Sequence, residues 1–411
     1  MTLDPAVPVV LAASASWETP TPVNAHHVAR RLAARGHRVL FVESVGLRPP
    51  APLSSAHDLR RSVARLRGFA AGVREVAPRL HVLSPVVPVV GPPALRALAL
   101  LALAHGAARA ARRLRFERPL LWAFLPTALP LAGRLAPRAV VYHCVDHYAA
   151  NPGVDAAWVD SLERRMLARA DVVFATSAPL AERLRASAAA RVALVPNVAD
   201  VALFARAHEP LPEPPELAAL PRPRALYVGN LAAYRVAPAL LAAAADAAGA
   251  LVLVGPVGLG EAAATPPALR ALLARPTVVA LGPRPREALP ALMRHCDVGL
   301  VPFADNEHTR ASLPLKLWEY LAAGLPVVAS PLPSLRELGA AGTIRLAADP
   351  AQFADAVRAA AAEPASRRAA RLELARAHDW PARIEELCAV VAAALPGSDD
   401  EIPQEAAAPL R

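Results

Sequence analysis

The sequence predicts an α/β protein of two doubly wound parallel sheets, and three observations lead there. Short apolar runs of strand length recur along the chain with helical stretches between most of them. That rhythm breaks at a proline-dense stretch, Glu209-Pro-Leu-Pro-Glu-Pro-Pro-Glu216 followed by Pro221-Arg-Pro223, and then restarts. At 411 residues the chain also exceeds what one hydrophobic core usually serves.

The opening reads strand (7–12), loop (16–24), helix (26–35) and strand (39–43), with Gly36 as a normal helix stop. A strand and helix that return to a second apolar strand make a βαβ unit, hence a parallel sheet. Further strands are expected at 80–83, 120–124, 139–142, 172–175 and 192–195, which closes a first domain over 1–205. Residues 206–223 hold too many prolines for helix or central strand and read as an extended linker. Strands at 225–229, 251–255, 277–282, 298–302 and 326–329 then build a second domain over 224–378. A last helix falls within 379–396, where a return to the first domain is expected, and the acidic, Ala/Pro-rich stretch 397–411 reads as a disordered tail. Ligands of such sheets bind at the carboxyl ends of the strands, so two facing domains would place a cleft between them.

The formal charge of +10 suits an anionic partner, but only 18 aromatic residues and no basic stripe interleaved with them argue against nucleic acid. The three cysteines, Cys144, Cys296 and Cys388, have neither disulfide-framework nor zinc spacing, so a reduced, cytoplasmic compartment is expected. Residues 1–10 lack the features of a secretory signal. The apolar run 94–104 carries Arg96 and reads as too short to span a bilayer. Two basic, apolar segments, 57–73 with Arg60, Arg61, Arg65 and Arg67, and 95–115 with Arg109, Arg112, Arg113 and Arg115, make an anionic membrane surface a candidate partner. The competing reading for both is a solvated helix whose apolar face packs on the domain.

Lys316 is the sole lysine, the other 44 basic residues being arginine, and it lies in Ser312-Leu-Pro-Leu-Lys-Leu-Trp-Glu-Tyr-Leu-Ala-Ala-Gly324. Pro314 suits the first turn of a helix there and Gly324 its stop, which puts Lys316 and Glu319 on one face. Gly229 and Asn230 end one strand, with Arg235 beyond, and Gly282-Pro-Arg284 end another. Helix-start N–H groups together with these cations fit a diphosphate.

The string 314–328, Pro-Leu-Lys-Leu-Trp-Glu-Tyr-Leu-Ala-Ala-Gly-Leu-Pro-Val-Val, resembles the donor-site signature of GT-B-fold glycosyltransferases, in the branch related to bacterial polysaccharide and teichuronic acid enzymes. Further matches run in the family's order: Asn24-Ala-His-His27, Leu32-Ala-Ala-Arg-Gly-His37, Tyr142-His-Cys-Val-Asp146, 170–177, Val195-Pro-Asn197 with Asp200 and Phe204, Tyr227-Val-Gly-Asn230, and 297–303. The resemblance implies two Rossmann-like domains, the second holding a nucleotide diphospho-sugar and the first an acceptor that is a polysaccharide, a lipid-linked glycan or a small molecule. It implies that Glu319 accepts the donor ribose hydroxyls, and that Lys316 and Arg235 offset charge on the leaving diphosphate. Gly229, Asn230, Arg284, Ser312 and Leu313 complete the expected donor site. Two departures stand out. Many retaining members carry a second glutamate eight residues before Glu319, where this chain has Ala311, and Asn197 is followed by Val198 instead of glycine.

On the acceptor side, Asp146, His143 and His147 follow a strand and are candidates for taking the acceptor proton, ranked Asp146 and then His143. Asn24, His26 and His27 follow the first strand on the same side. No metal site is expected: the densest acidic run, 399–401, lies in the tail, and Asp305 and Glu307 read as a polar rim. No organic cofactor is implied either, since Gly255-Pro-Val-Gly-Leu-Gly260 has the wrong order for a dinucleotide fingerprint. The alternatives are a sugar-nucleotide 2-epimerase of the same fold and a catalytically inactive nucleotide-sugar-binding homologue.

Overall fold

The computed structural model describes residues 2–19, 22–44, 46–47, 72–86, 91–187, 192–258 and 265–395. The basic segment 57–71, the end of the 255–260 glycine string and the expected tail lie outside the described residues. The chain divides into two compact units, the first made of residues up to Val195 together with those from Ile384, the second running from Pro196 to Arg383.

The first unit carries eight strands: β1 (Val9–Ala12), β2 (Val39–Val42), β3 (Val73–Ala77), β4 (Leu80–Leu83), β5 (Leu120–Ala123), β6 (Val140–Cys144), β7 (Val172–Ala175) and β8 (Val192–Leu194). They lie in the order β3-β4-β2-β1-β5-β6-β7-β8. All pairs are parallel except β3 with β4, a hairpin at one edge. β1, β2, β5, β6 and β7 are buried on both faces, which is why they read as unbroken apolar runs. Helices Asn24–Ala34, Pro93–Arg113, Leu129–Leu135, Ala156–Arg169 and Ala178–Ser187 supply the crossovers. Below the sheet, Tyr142 donates to the buried carboxylate of Glu163 (2.7 Å), which also holds Arg183 (2.5 Å).

The second unit has six parallel strands, β9 (Arg224–Val228), β10 (Ala250–Val254), β11 (Val278–Gly282), β12 (Val298–Val301), β13 (Val327–Ala329) and β14 (Arg345–Leu346). Their order, β11-β10-β9-β12-β13-β14, is the 3-2-1-4-5-6 order of a dinucleotide-type fold. Its core centres on Tyr227, Trp318, Tyr320, Phe204 and Phe353, all fully buried. Large side chains of this kind contribute roughly 1.5–3 kcal/mol each.

Three expectations change. The first unit ends at Val195 rather than 205, because Val201, Phe204 and Ala207 pack into the second core. The segment 206–223 is not an extended linker: it forms a 3-10 turn, Arg206–His208, and a short helix, Pro215–Ala218, whose Leu217 anchors it in that same core. The apolar run at 94–104 belongs to a longer helix, Pro93–Arg113, because alanines carry it on past His105. Among the described residues it is the one helix long and apolar enough to cross a membrane. The last helix, Trp380–Ala393, starts in the second unit and from Ile384 belongs to the first, where Glu385 pairs with Arg35.

Candidate active site

In the second unit the crossover direction reverses between β9 and β12, and the side chains gather there. β9 ends at Val228, and Gly229 turns away with φ +145°, its N–H bonded to the Val254 carbonyl at 2.8 Å. A Cβ on Gly229 would stand 2.5 Å from the Lys316 Nζ, and one on Gly255 would stand 2.1 Å from the Gly229 carbonyl oxygen. Only glycine lets these strand ends and the lysine come together. Tyr227 donates to the Asn230 carbonyl (2.9 Å), which holds the loop after the strand.

Helix Leu315–Ala322 starts after Pro314, which is its N-cap rather than its first turn. Leu317, Trp318, Tyr320 and Leu321 are buried, so the helix is anchored through that face while Lys316 and Glu319 remain partly accessible. The Lys316 Nζ lies 3.9 Å from the Tyr227 ring centroid and 5.0 Å from that of Phe303. Loss of water holds its pKa well below the usual lysine range, the Arg235 charge adds to this, and Glu319 opposes it. Arg235 donates to the buried His308 Nε2 at 3.0 Å, and the ring of Tyr234 meets His308 edge-on.

Glu319 is held by a partner not anticipated from sequence. Arg286, 8% exposed, donates to the Glu319 Oε1 at 2.9 Å while its guanidinium lies 5.1 Å from the Phe204 ring centroid. Arg284, the expected cation from this loop, instead pairs with Glu216 at 2.9 Å. Two residues along Gly282-Pro-Arg-Pro-Arg286 separate an outward arginine from an inward one, and the repeated arginine was the available signal. Ser312 and Leu313 contribute mainly as scaffold. The Ser312 hydroxyl donates to the His308 carbonyl (2.9 Å), Leu313 is buried, and its carbonyl accepts from the Asn197 side chain at 2.8 Å.

In the first unit β6 extends through Cys144, so His143 is a strand residue rather than a loop residue. Alternation sends Tyr142 and Cys144 to one core and His143 to the opposite face. There its ring stacks on Phe124 at 4.7 Å, meets Phe174 edge-on, and its Nδ1 accepts from Trp122 at 3.4 Å. Buried to 2% exposure, His143 is withdrawn as a proton acceptor. His26, expected on the acceptor side, is fully buried: its Nδ1 accepts from the Val23 N–H (3.2 Å), its Nε2 donates to the Ser16 carbonyl (3.0 Å), and burial lowers its pKa. His27 is buried and engaged by Arg31 at 3.1 Å, and Asn24 is buried at the start of the same helix. Asp146 stays partly exposed on the loop after β6. That loop is fixed from both sides, by Thr176 donating to the Val145 carbonyl (3.2 Å) and Tyr148 donating to the Phe124 carbonyl (2.8 Å).

Among the described residues no three His, Cys, Asp or Glu side chains group as a metal site. Asp305 forms a two-point pair with Arg310 on the surface.

Two Rossmann-order units, the second gathering a lysine, arginines and a glutamate at its switch point, define a two-domain GT-B architecture. Residues 23–203 match the family model described as Glycosyltransferase Family 4, and residues 222–363 match that described as Glycosyl transferases group 1. The chain belongs to the GT-B-fold glycosyltransferases. A putative teichuronic acid biosynthesis glycosyltransferase, TuaH of Bacillus subtilis (strain 168), is 40% identical over 67 residues, 16% of this chain and 17% of that protein. The matched stretch is thus about a sixth of the curated relative. Among solved structures, sucrose-phosphate synthase from Thermosynechococcus elongatus aligns with TM-score 0.64 at 19% identity, over 94% of this chain and 98% of that one. Anabaena Alr3699/HepE in complex with UDP and glucose aligns with TM-score 0.63 at 15% identity, over 94% and 100%. At these identities the likeness speaks to the fold.

Proposed function

We propose that the protein transfers a sugar from a nucleotide diphospho-sugar to a polysaccharide, lipid-linked or small-molecule hydroxyl, without a metal ion or organic cofactor. The Anabaena structure holds UDP, which makes a UDP-sugar the first donor class to test. In the transfer the acceptor oxygen bonds to the anomeric carbon, the bond from that carbon to the diphosphate oxygen breaks, and the diphosphate leaves with the electron pair. Asp146 takes the acceptor proton. Lys316, Arg235 and the start of helix Leu315–Ala322 offset the negative charge on the leaving diphosphate, which a metal ion would otherwise neutralise. Arg286 holds one Glu319 oxygen, which orients the carboxylate and leaves it acceptor capacity for the ribose hydroxyls.

The observation that carries this reading is the Arg286–Glu319 pair beside Lys316 at the β9/β12 switch point. Calorimetric titration with UDP tests it. Glu319→Ala is expected to weaken binding by roughly tenfold or more, the value of one hydrogen bond to a charged group. Unchanged affinity would overturn the assignment. Measuring UDP release with an acceptor panel then tests the transfer itself.

A further inference from the structure

Among the described residues of the first unit, the exposed large apolar side chains gather in one stretch. Of the five large hydrophobic side chains exposed among the described residues, Val86, Leu95, Leu98 and Leu101 lie within sixteen positions of one another, at 40%, 57%, 64% and 44% exposure. Three of them are on helix Pro93–Arg113. Its inner stripe, Ala99, Leu100, Leu103, Ala104, Ala107, Ala108, Ala110 and Ala111, is built into the unit's core, so the helix cannot leave to cross a bilayer. Its outer stripe is divided along its length. The first half presents Leu95, Leu98, Leu101 and Ala102; the second presents His105, Arg109, Arg112 and Arg113, all exposed and on the same side. From Leu101 to Arg109 the axial rise is about 12 Å. Arg96 belongs to neither half, because Asp155 binds it at 2.8 Å on the flank.

We infer that this outer stripe is a docking surface for an anionic lipid bilayer, with the leucine half set into the acyl boundary and the arginine half on the lipid phosphates. Charge decides the occupant. An apolar patch that continues into a row of three exposed arginines on a chain of net charge +10 complements a negative surface with an apolar layer beneath it. Four aliphatic side chains fall well short of the roughly 800 Å² per partner that a stable protein interface buries, which disfavours a second copy. Seating in this way would bring the first unit, which the proposed function gives to the acceptor, to the membrane surface. The docking itself does not rest on that function.

Cosedimentation of the full chain with vesicles tests the inference. The protein is expected to pellet with phosphatidylcholine vesicles that contain phosphatidylglycerol and to be released by high salt. The double variant L95S/L98S and the double variant R109E/R112E should each lose roughly tenfold or more of this binding, with UDP affinity unchanged as the check on folding. Wild-type protein remaining in the supernatant would overturn the proposal, as would equal binding to neutral vesicles or an undiminished R109E/R112E variant. Light scattering covers the other occupant: a dimer that L95S/L98S dissolves, without vesicle binding, would assign the face to a second copy.

Discussion

Lys316 is held where an ammonium is costly, with aromatic rings around it, Arg235 repelling it and Glu319 only partly compensating. Its folded-state pKa is lowered, so the unfolded chain binds the extra proton and stability rises with pH between that lowered value and the ordinary lysine value. Diphosphate binding works in the opposite direction, because the anion favours the charged ammonium. UDP affinity is therefore expected to fall as pH rises through the lowered value, with proton uptake visible as a buffer-dependent heat. Lys316→Arg, charged throughout, should flatten the slope, and an identical slope in both proteins would refute the coupling. His143 makes the contrasting case. Phenylalanine there keeps the stack on Phe124 but leaves the Trp122 N–H without its acceptor. His143→Phe should cost about 1–3 kcal/mol in denaturant unfolding and leave turnover intact, whereas lost turnover in the folded variant would restore its catalytic candidacy.

At the scale of elements, helix ends show where the composition presses on the backbone. Helix Leu129–Leu135 ends on Ala136 in the left-handed region, φ 44° and ψ 57°, a place where glycine is the ordinary choice. Ala136→Gly is expected to raise stability by about 0.5–1 kcal/mol, read as a higher denaturant midpoint at unchanged m-value; a lower midpoint would show that the strain is absent. The same elements show what sequence could and could not reveal. Strands such as Val9–Ala12 and Ala250–Val254 were legible because burial on both faces demands an unbroken apolar run. The Lys316 and Glu319 face was legible because helical spacing fixes it. Arg286 was not: nothing local distinguishes it from Arg284, and only the fold decides which arginine turns toward Glu319. His143 was misread for a similar reason, since two extra residues of β6 convert an edge position into a core one. Leu217 was hidden among prolines that suggested a linker, and Phe204 was counted with the first domain although it packs into the second core.

Across the whole molecule, the two units have separate cores, one around Tyr142 and Val173, the other around Tyr227 and Trp318. A ligand that binds one of them stabilises that one by mass action. Scanning calorimetry with UDP is expected to move the transition of the second unit upward. Glu163→Leu, which strips the acceptor from Tyr142 and Arg183, should lower the transition of the first unit and leave the UDP dissociation constant unchanged. A single transition displaced as a whole by both treatments would show that the cores melt together.

The assignment of residues from Ile384 to the first unit gives the chain a nested order. Residues 196–383 are an insert within a domain whose pieces lie on either side of them. During synthesis the second unit is therefore complete before the first can be: helix Trp380–Ala393 reaches the Arg35 pairing only after the entire nucleotide-type sheet has emerged. The half of the protein that is translated first is the half that must wait, since its closing segment follows the whole of the second unit along the chain.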